Sequence, residues 1–149
     1  MPEQETIERA REDAREGKSP STQAGEFVRE EIHHVREGKH GVRSPQQAIA
    51  IGLSKARRAG VKLAPPKGSA SVRRKAAQDD RAGEHPRRKI SGKRSRATEK
   101  ALRQESHGSA SKTALARQAS RAAAKRGRSA RTRAAAKAAH TRKTNRRSR

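Results

Sequence analysis

The chain has 149 residues, of which 39 are Lys or Arg and 15 are Asp or Glu, so its formal net charge is +24. Only 29% of the residues are hydrophobic, with one Phe and no Trp or Tyr. That leaves too little large apolar surface to offset the chain entropy of one globular domain over the whole length. The absence of Cys excludes disulfides, thiol nucleophiles and zinc knuckles.

No apolar run is long enough to span a membrane. The first five residues, Met1-Pro2-Glu3-Gln4-Glu5, lack the basic and apolar regions of a secretory signal peptide. Composition therefore predicts a cytoplasmic protein that makes no membrane contact and whose partner is a polyanion.

The charge is divided unevenly along the chain. Residues 1–64 carry 12 basic and 10 acidic side chains, whereas residues 65–149 carry 27 basic and 5 acidic ones. The change falls at the Pro/Gly/Ser-rich segment 64–69, whose composition is typical of a linker. We therefore predict an all-α protein with a small helical hairpin module over 1–64 and a long disordered basic tail over 65–149.

The first predicted helix runs from Glu3 to Glu16. It consists of good helix formers and stops at Gly17, a position that favours a left-handed C-terminal cap. Ile7 is its one large apolar residue, so on its own this segment would be a marginal, solvated helix.

The second predicted helix begins at Ser19-Pro20 or at Ser21 and ends before Gly38. Apolar residues recur along it at the spacing of one helix face, which predicts a buried stripe. The stripe consists of Ala24, Phe27, Val28, Ile32 and Val35.

The third predicted helix has the clearest start signal, with Ser44 as N-cap, Pro45 in the first turn and Gln47 completing a capping box. It ends at Gly60. Gly52 lies on its apolar face, where it would let another backbone approach closely. The residues that share this face are Ile49, Leu53 and Ala56. With a connection of five residues, 39–43, the second and third helices are predicted to form a hairpin.

The tail is rich in Ala, Arg and Lys, and no acidic residue follows Glu105. Repulsion between these cations predicts disorder in free solution, with helix forming over 109–126 and 132–140 once a phosphate backbone neutralises the charge. The basic side chains predicted to contact nucleic acid are Arg87, Arg88, Lys89, Lys93, Arg94, Arg117, Arg121, Lys125, Arg126, Arg128, Arg131, Arg133, Lys137, Arg142, Lys143, Arg146, Arg147 and Arg149.

Three resemblances bear on function. The tail resembles the tails of linker histones and of bacterial histone-like proteins in composition, and Arg126-Gly127-Arg128 resembles the core of the AT-hook, without that motif's flanking prolines. Residues 28–40 and 44–56, the latter containing Gln-Ala-Ile-Ala-Ile-Gly-Leu-Ser-Lys, resemble a family of small uncharacterised bacterial basic proteins. This last resemblance implies a bacterial origin and DNA binding, and it brings no catalytic residues.

Other chemistries are poorly supported by the residue pattern. Gly17-Lys18-Ser19 lacks the first glycine and the preceding strand of a phosphate-binding loop. His33, His34 and His40 contain no pair at i and i+4, so we expect solvated histidines rather than metal ligands. The carboxylates Glu26, Glu30, Glu31 and Glu37 are expected to form ion pairs within the helix or with the tail. We predict no metal, no cofactor and no enzymatic activity.

Together these features predict duplex DNA binding that is largely independent of sequence, as in a histone-like protein associated with the nucleoid. The lack of Tyr and Trp removes the stacking platforms that single-strand and RNA binders commonly use. Two alternatives stay open. One is association with RNA or the ribosome. The other is a protein–protein adaptor or homodimer that pairs through residues 20–60, with the tail serving to localise it.

Overall fold

The chain is all-α in the computed structural model, which describes residues 2–85 and 91–147 and, over 144–147, the backbone alone. No strand occurs in those ranges. The helices are α1 Gln4–Arg15, α2 Pro20–Arg36, α3 Pro45–Arg58, α4 Ala70–Glu84, α5 Gly92–Arg103, a 3-10 turn Gly108–Ala110, α6 Lys112–Lys125 and α7 Gly127–Arg147. The predicted all-α class is confirmed.

Glycine ends each of the first three helices, as predicted. Gly17, Gly38 and Gly60 have φ of +70°, +77° and +94°, which is the left-handed region. After α2, the Lys39 N–H donates to the His34 carbonyl at 3.0 Å and the Gly38 N–H donates to the Val35 carbonyl at 3.2 Å. This is the Schellman pattern, and it turns the chain back along the helix it has just left.

Serine caps begin α2 and α3, each followed by proline in the first turn. The Ser44 hydroxyl accepts from the Gln47 N–H at 3.2 Å, as the capping box requires. The Gln47 side chain reaches one residue further back than expected, because its oxygen accepts from the Arg43 N–H at 2.8 Å instead of from the N-cap itself.

Replacing the α3 cap tests this start signal. We expect Ser44→Ala to lower the free energy of unfolding by about 1 kcal/mol, because the Gln47 N–H loses its acceptor. Ser44→Thr keeps a side-chain hydroxyl and should retain most of that stability. Chemical denaturation followed by circular dichroism would measure both, and equal stability of all three proteins would contradict the role of the cap.

The predicted hairpin of α2 and α3 is confirmed, and the two helices approach closely at Gly52. A Cβ on Gly52 would lie 2.6 Å from the Cα of Val28. On either side of this contact, Phe27 and Ala56 are buried in one apolar cluster, with Leu53 packed against it. The two backbones therefore approach where the sequence offered a residue without a side chain.

The first helix, which would be marginal on its own, packs against α2 in the folded chain. Ala10 is buried in the same cluster as Phe27, and Ile7 packs against that cluster. The Arg9 guanidinium also donates to Glu26 on α2 at 2.8 Å. The two apolar residues Ile7 and Ala10 are enough to hold α1 in place because α2 supplies the rest of the contact area.

The packed region also extends past the predicted boundary at residue 64, because α4 packs on α3. Arg57, buried at the end of α3, donates to Asp80 at 2.8 Å and to the Ala64 carbonyl at 2.7 Å. Gly83 makes the contact close: a Cβ there would lie 2.3 Å from the Arg57 carbonyl oxygen.

The end of α5 and the segment that follows it are joined to the hairpin connection by backbone hydrogen bonds. Gly41 N–H donates to the Leu102 carbonyl at 2.9 Å, and Val42 N–H donates to the Ser106 carbonyl at 3.0 Å. Ala110 completes a second apolar cluster that contains Val42. The chain accordingly divides into two compact units, Met1–Ser111 and Lys112–Arg149, so the first unit is longer than the module that charge alone defined.

Asp79 is the buried centre of the α3–α4 contact. Burial acts to raise its pKa, but hydrogen bonds from Lys75, Arg58 and Ser54 outweigh burial and hold the pKa below its ordinary value. The Ser54 hydroxyl donates at 2.7 Å and the Arg58 guanidinium at 2.8 Å. The folded state therefore favours the ionised carboxylate.

A lowered pKa in the folded state stabilises the fold above the unfolded value, near pH 3.9, and this contribution is lost as the pH falls through the folded value. We expect wild-type stability to fall more steeply below about pH 4 than that of Asp79→Asn. Thermal unfolding across this range would measure the difference. Glu8→Gln, which changes an exposed carboxylate on α1, should keep the wild-type slope, and parallel curves for wild type and Asp79→Asn would contradict the assignment.

Candidate nucleic-acid interface

The second unit, Lys112–Arg149, carries 14 Lys and Arg and no Asp or Glu. Three of the four cations of α6 lie on one side, and Lys112 lies on the other. Arg117, Arg121 and Lys125 recur every four residues and are exposed, while Leu115 and Ala122, on a neighbouring face, are half-buried. Helix geometry thus presents three positive charges along about 12 Å of one face.

In α7 the cations surround the helix. Within residues 127–143, every side chain is exposed except the half-buried Ala130. Helix occurs at 112–125 and 127–147, which covers most of 109–126 and all of 132–140, the two segments for which helix was predicted once nucleic acid is bound.

The structure places most of the predicted contact residues on the surface. Those with described side chains are all exposed, and none forms an ion pair within the described part of the chain; they are Lys93, Arg94, Arg117, Arg121, Lys125, Arg126, Arg128, Arg131, Arg133, Lys137, Arg142 and Lys143. Arg146 and Arg147 continue the α7 backbone. Arg87, Arg88, Lys89 and Arg149 lie outside the described residues.

The Arg126-Gly127-Arg128 tripeptide forms the junction between α6 and α7. Gly127 has φ of +73°, and the Arg126 N–H donates to the Ala123 carbonyl at 3.2 Å. The resemblance to the AT-hook therefore falls on a turn between two helices, with both arginine side chains exposed.

A second charged site lies inside the first unit, where the sequence predicted solvated groups. Glu31 is 1% exposed, and His34 and His40 are 12% and 16% exposed. The expectation of solvated histidines is therefore wrong for these two, although it holds for His33, whose side chain is 68% exposed. The turn at Gly38 causes the difference, because it folds the following residues back against α2.

Lys55 of α3 supplies positive charge to this site. Its ammonium lies 3.3 Å from Glu30 Oε1 and 2.7 Å from Glu31 Oε2. Both carboxylates are buried. Of the predicted pairings, Glu37 does pair with His33 at i+4, at 2.9 Å. No carboxylate of α2 pairs with residues 65–149 within the described ranges.

One sequence signal could have found the site. Glu31 and His34 stand at i and i+3, which places both on one helix face, but a search for pairs of histidines passes over it. His40 could not have been added from spacing alone, because its approach depends on the turn at Gly38.

Glu3, the residue before α1, closes the outer side of the site. Its carboxylate accepts from His34 Nε2 at 2.8 Å and from Lys39 at 3.2 Å. Hydrogen bonds from His34 and Lys39 hold the pKa of Glu3 below its usual range. The outer histidine nitrogen therefore faces an ionised acceptor.

Residues 15–68 match a protein family described as a family of unknown function (DUF6496). The match covers about a third of the chain, contains Glu31, His34, His40 and Lys55, and stops before the second unit. No curated protein and no solved structure matches the chain. None of the described helices is long and apolar enough to cross a membrane.

Proposed function

We propose that this protein binds duplex DNA without catalysing a reaction and largely without regard to sequence, in the manner of a histone-like protein of the nucleoid. The observation that supports this most directly is the second unit, with 14 basic and no acidic residues. Its described basic side chains are exposed and free of carboxylate partners. A solubilising extension would not need this charge density.

The mechanism is counterion replacement. Each Lys or Arg that reaches a phosphate releases a condensed cation from the duplex, which favours binding through the entropy of the released ions. Contacts of this kind fix position along the backbone and do not read bases. The exposed row Arg117, Arg121 and Lys125 and the cations around α7 would supply them.

We further propose that the helices of the second unit are its bound conformation and that residues beyond Ser111 are disordered in the free protein. None of the residues of α6 is buried, so no apolar core offsets the repulsion among the cations. Phosphate neutralisation would remove that repulsion and let the intrinsic helix preference of Ala, Arg and Lys prevail.

RNA is the alternative partner, because its backbone also consists of phosphates. The cations could bind the phosphates of either RNA or DNA, so charge alone does not distinguish the two partners. The chain has no Tyr or Trp, and its one Phe, Phe27, is buried. Because RNA recognition commonly stacks bases on exposed aromatic rings, this favours duplex DNA.

The adaptor alternative would use residues 20–60 as a protein-binding or dimerisation surface. Much of the apolar surface of this segment is already covered by the chain itself. Phe27 packs with Ala10 of α1, and Val35 packs with Ala110. Among the described residues, the large hydrophobic side chain that stands exposed is Val72, outside 20–60. These contacts favour nucleic-acid binding over the adaptor.

A salt titration tests the proposal. If about 8 phosphates are engaged, the logarithm of the binding constant should fall against the logarithm of salt concentration with a slope near −7 on duplex DNA. Circular dichroism should report more helix in the complex than in the free protein. An RNA of equal charge measured in parallel identifies the preferred partner.

Two results would overturn the proposal. A slope near zero would mean that counterion release does not drive binding. Strong discrimination between unrelated duplexes of equal length would mean that base contacts, rather than the charge of the second unit, decide what is bound.

A further inference from the structure

We infer that Glu31, His34 and His40 form a binding site for a divalent transition-metal ion of the zinc type. One ligand atom from each of these side chains lies within 4.8 Å of the other two, in the single group of this kind found in the described part of the chain. One carboxylate oxygen and two imidazole nitrogens are a ligand set that Zn²⁺ accepts, with a fourth position left for water. The inference is independent of the proposed DNA binding.

The first support is the unsatisfied carboxylate of Glu31. Both of its oxygens are buried and neither has a hydrogen-bond partner. The Lys55 ammonium lies 2.7 Å from Oε2. It forms an ion pair with this oxygen, but the angles at the two atoms are not those of a hydrogen bond. Oε1 instead faces His40 Nε2 at 3.2 Å. A buried acceptor left without a donor is costly, so a cation at this position would stabilise it.

The second support is the hydrogen bonding of the histidines. His40 Nδ1 lies 3.1 Å from the Gly41 carbonyl, and His34 Nε2 lies 2.8 Å from the Glu3 carboxylate. Both partners can only accept, so these outer nitrogens carry the protons. A metal ion binds a histidine through a nitrogen that carries no proton, and in each ring the inner nitrogen is the one left for this role.

These inner nitrogens face carboxylates rather than donors. His40 Nε2 lies 3.2 Å from Glu31 Oε1, and His34 Nδ1 lies 4.0 Å from Glu30 Oε1. A metal ion placed between each inner nitrogen and its carboxylate would be a common partner for both. Metal-bound histidines show the same pattern, with the outer N–H donated to a carboxylate or a backbone carbonyl.

The distances fit a small ion. Ligand bonds of about 2.0–2.1 Å in a tetrahedral zinc site place the donor atoms about 3.3 Å apart. The Glu31–His40 separation of 3.2 Å already meets this value. Glu31 and His34 are held at i and i+3 on α2, and the Schellman turn at Gly38 places His40 beside them, so the three ligand atoms already lie within 4.8 Å of one another.

The test uses the full-length protein and Co²⁺ as a coloured probe, with Zn²⁺ as competitor. We expect one Co²⁺ per chain, a visible absorption band of a four-coordinate ion, and its displacement by one equivalent of Zn²⁺. The double variant His34→Gln, His40→Gln should bind at least about 100-fold more weakly. His33→Gln removes an exposed neighbour on the same helix and should bind as the wild type does.

Two further measurements guard against variants that merely misfold. Glu3→Gln changes the outer partner of His34, along with an exposed contact to Lys39, and should weaken binding about 10- to 100-fold while circular dichroism stays unchanged. In the wild type, Zn²⁺ should shift the imidazole nitrogen resonances of His34 and His40 but not those of His33.

Three outcomes would overturn the site. One is a protonated histidine pair only, seen as imidazolium resonances that Zn²⁺ leaves in place. The second is Co²⁺ binding that the double variant retains. The third is an equal loss of binding in His33→Gln.

Discussion

Removing residues 112–149 should lower the affinity for duplex DNA by more than about a hundredfold at moderate salt, because a protein that loses several phosphate contacts loses binding steeply. The deletion takes away 14 of the 39 basic residues and none of the 15 acidic ones. The division of the chain at Ser111 makes this a cleaner cut than the predicted boundary at residue 64, since residues 1–111 keep their contacts. Fluorescence anisotropy with a labelled duplex would measure the loss.

A charge-matched pair of variants separates position from total charge. Replacing Arg117, Arg121 and Lys125 by Gln should make the salt slope shallower by about 2.7, at 0.9 for each contact. Replacing three exposed cations of the first unit by Gln removes the same charge and should change the slope less; they are Lys67, Arg74 and Lys100. Equal changes would show that net charge alone, and not the second unit, governs binding.

The second large effect is expected at Gly52. In Gly52→Val, the new Cβ would lie 2.6 Å from the Cα of Val28 and 2.9 Å from its nitrogen. Because the obstacle is backbone, α2 and α3 must separate. Overpacking of this kind typically costs about 1–3 kcal/mol and occasionally more. For a core this small, such a cost should abolish cooperative unfolding of the first unit near room temperature.

Gly25 supplies the matched control, because it lies within α2 and a Cβ there would meet nothing within 4 Å. Gly25→Ala should therefore stabilise the helix by up to about 1 kcal/mol through helix propensity alone. Gly52→Ala gains the same propensity and should nevertheless be destabilised. Thermal unfolding of the wild type, Gly25→Ala and Gly52→Ala would measure these differences. A Gly52→Ala protein as stable as Gly25→Ala would contradict the close packing.

Local signals predicted the first three helices because each of their ends depends on residues within four positions. Ser44 caps α3 through its own hydroxyl, and Gly17 and Gly60 adopt the backbone angles that other residues avoid. The apolar period then paired α2 with α3. These are short-range effects that one sequence can reveal.

The α3–α4 contact was missed for the opposite reason. It depends on polar groups far apart in sequence, such as Ser54 with Asp79 and Arg57 with Asp80. In a chain with 39 basic residues, nothing in the sequence pattern marked Asp79 and Asp80 as contacts of α3. The close approach of α4 that buries Asp79 is made possible by Gly83, which has no side chain, and no periodic pattern marks that glycine.

The cluster of Glu31, His34 and His40 could not be predicted from the sequence for a similar reason. His34 could be placed on α2 beside Glu31, but His40 follows the helix end, where direction depends on the turn. Lys55 lies on another helix, α3, so its approach to Glu30 and Glu31 depends on the packing of α2 against α3. The packing of three elements, rather than any motif, brings these side chains together.

The absence of carboxylates from the second unit has a consequence for how much protein a duplex can carry. Duplex DNA bears one charge per about 1.7 Å, so fourteen cations match the phosphates of about seven base pairs. On the proposed function, a duplex loaded at that density would approach electrical neutrality, and neutral particles lose the repulsion that keeps them apart. The ratio of protein to DNA, and not affinity alone, would then determine when the complex condenses.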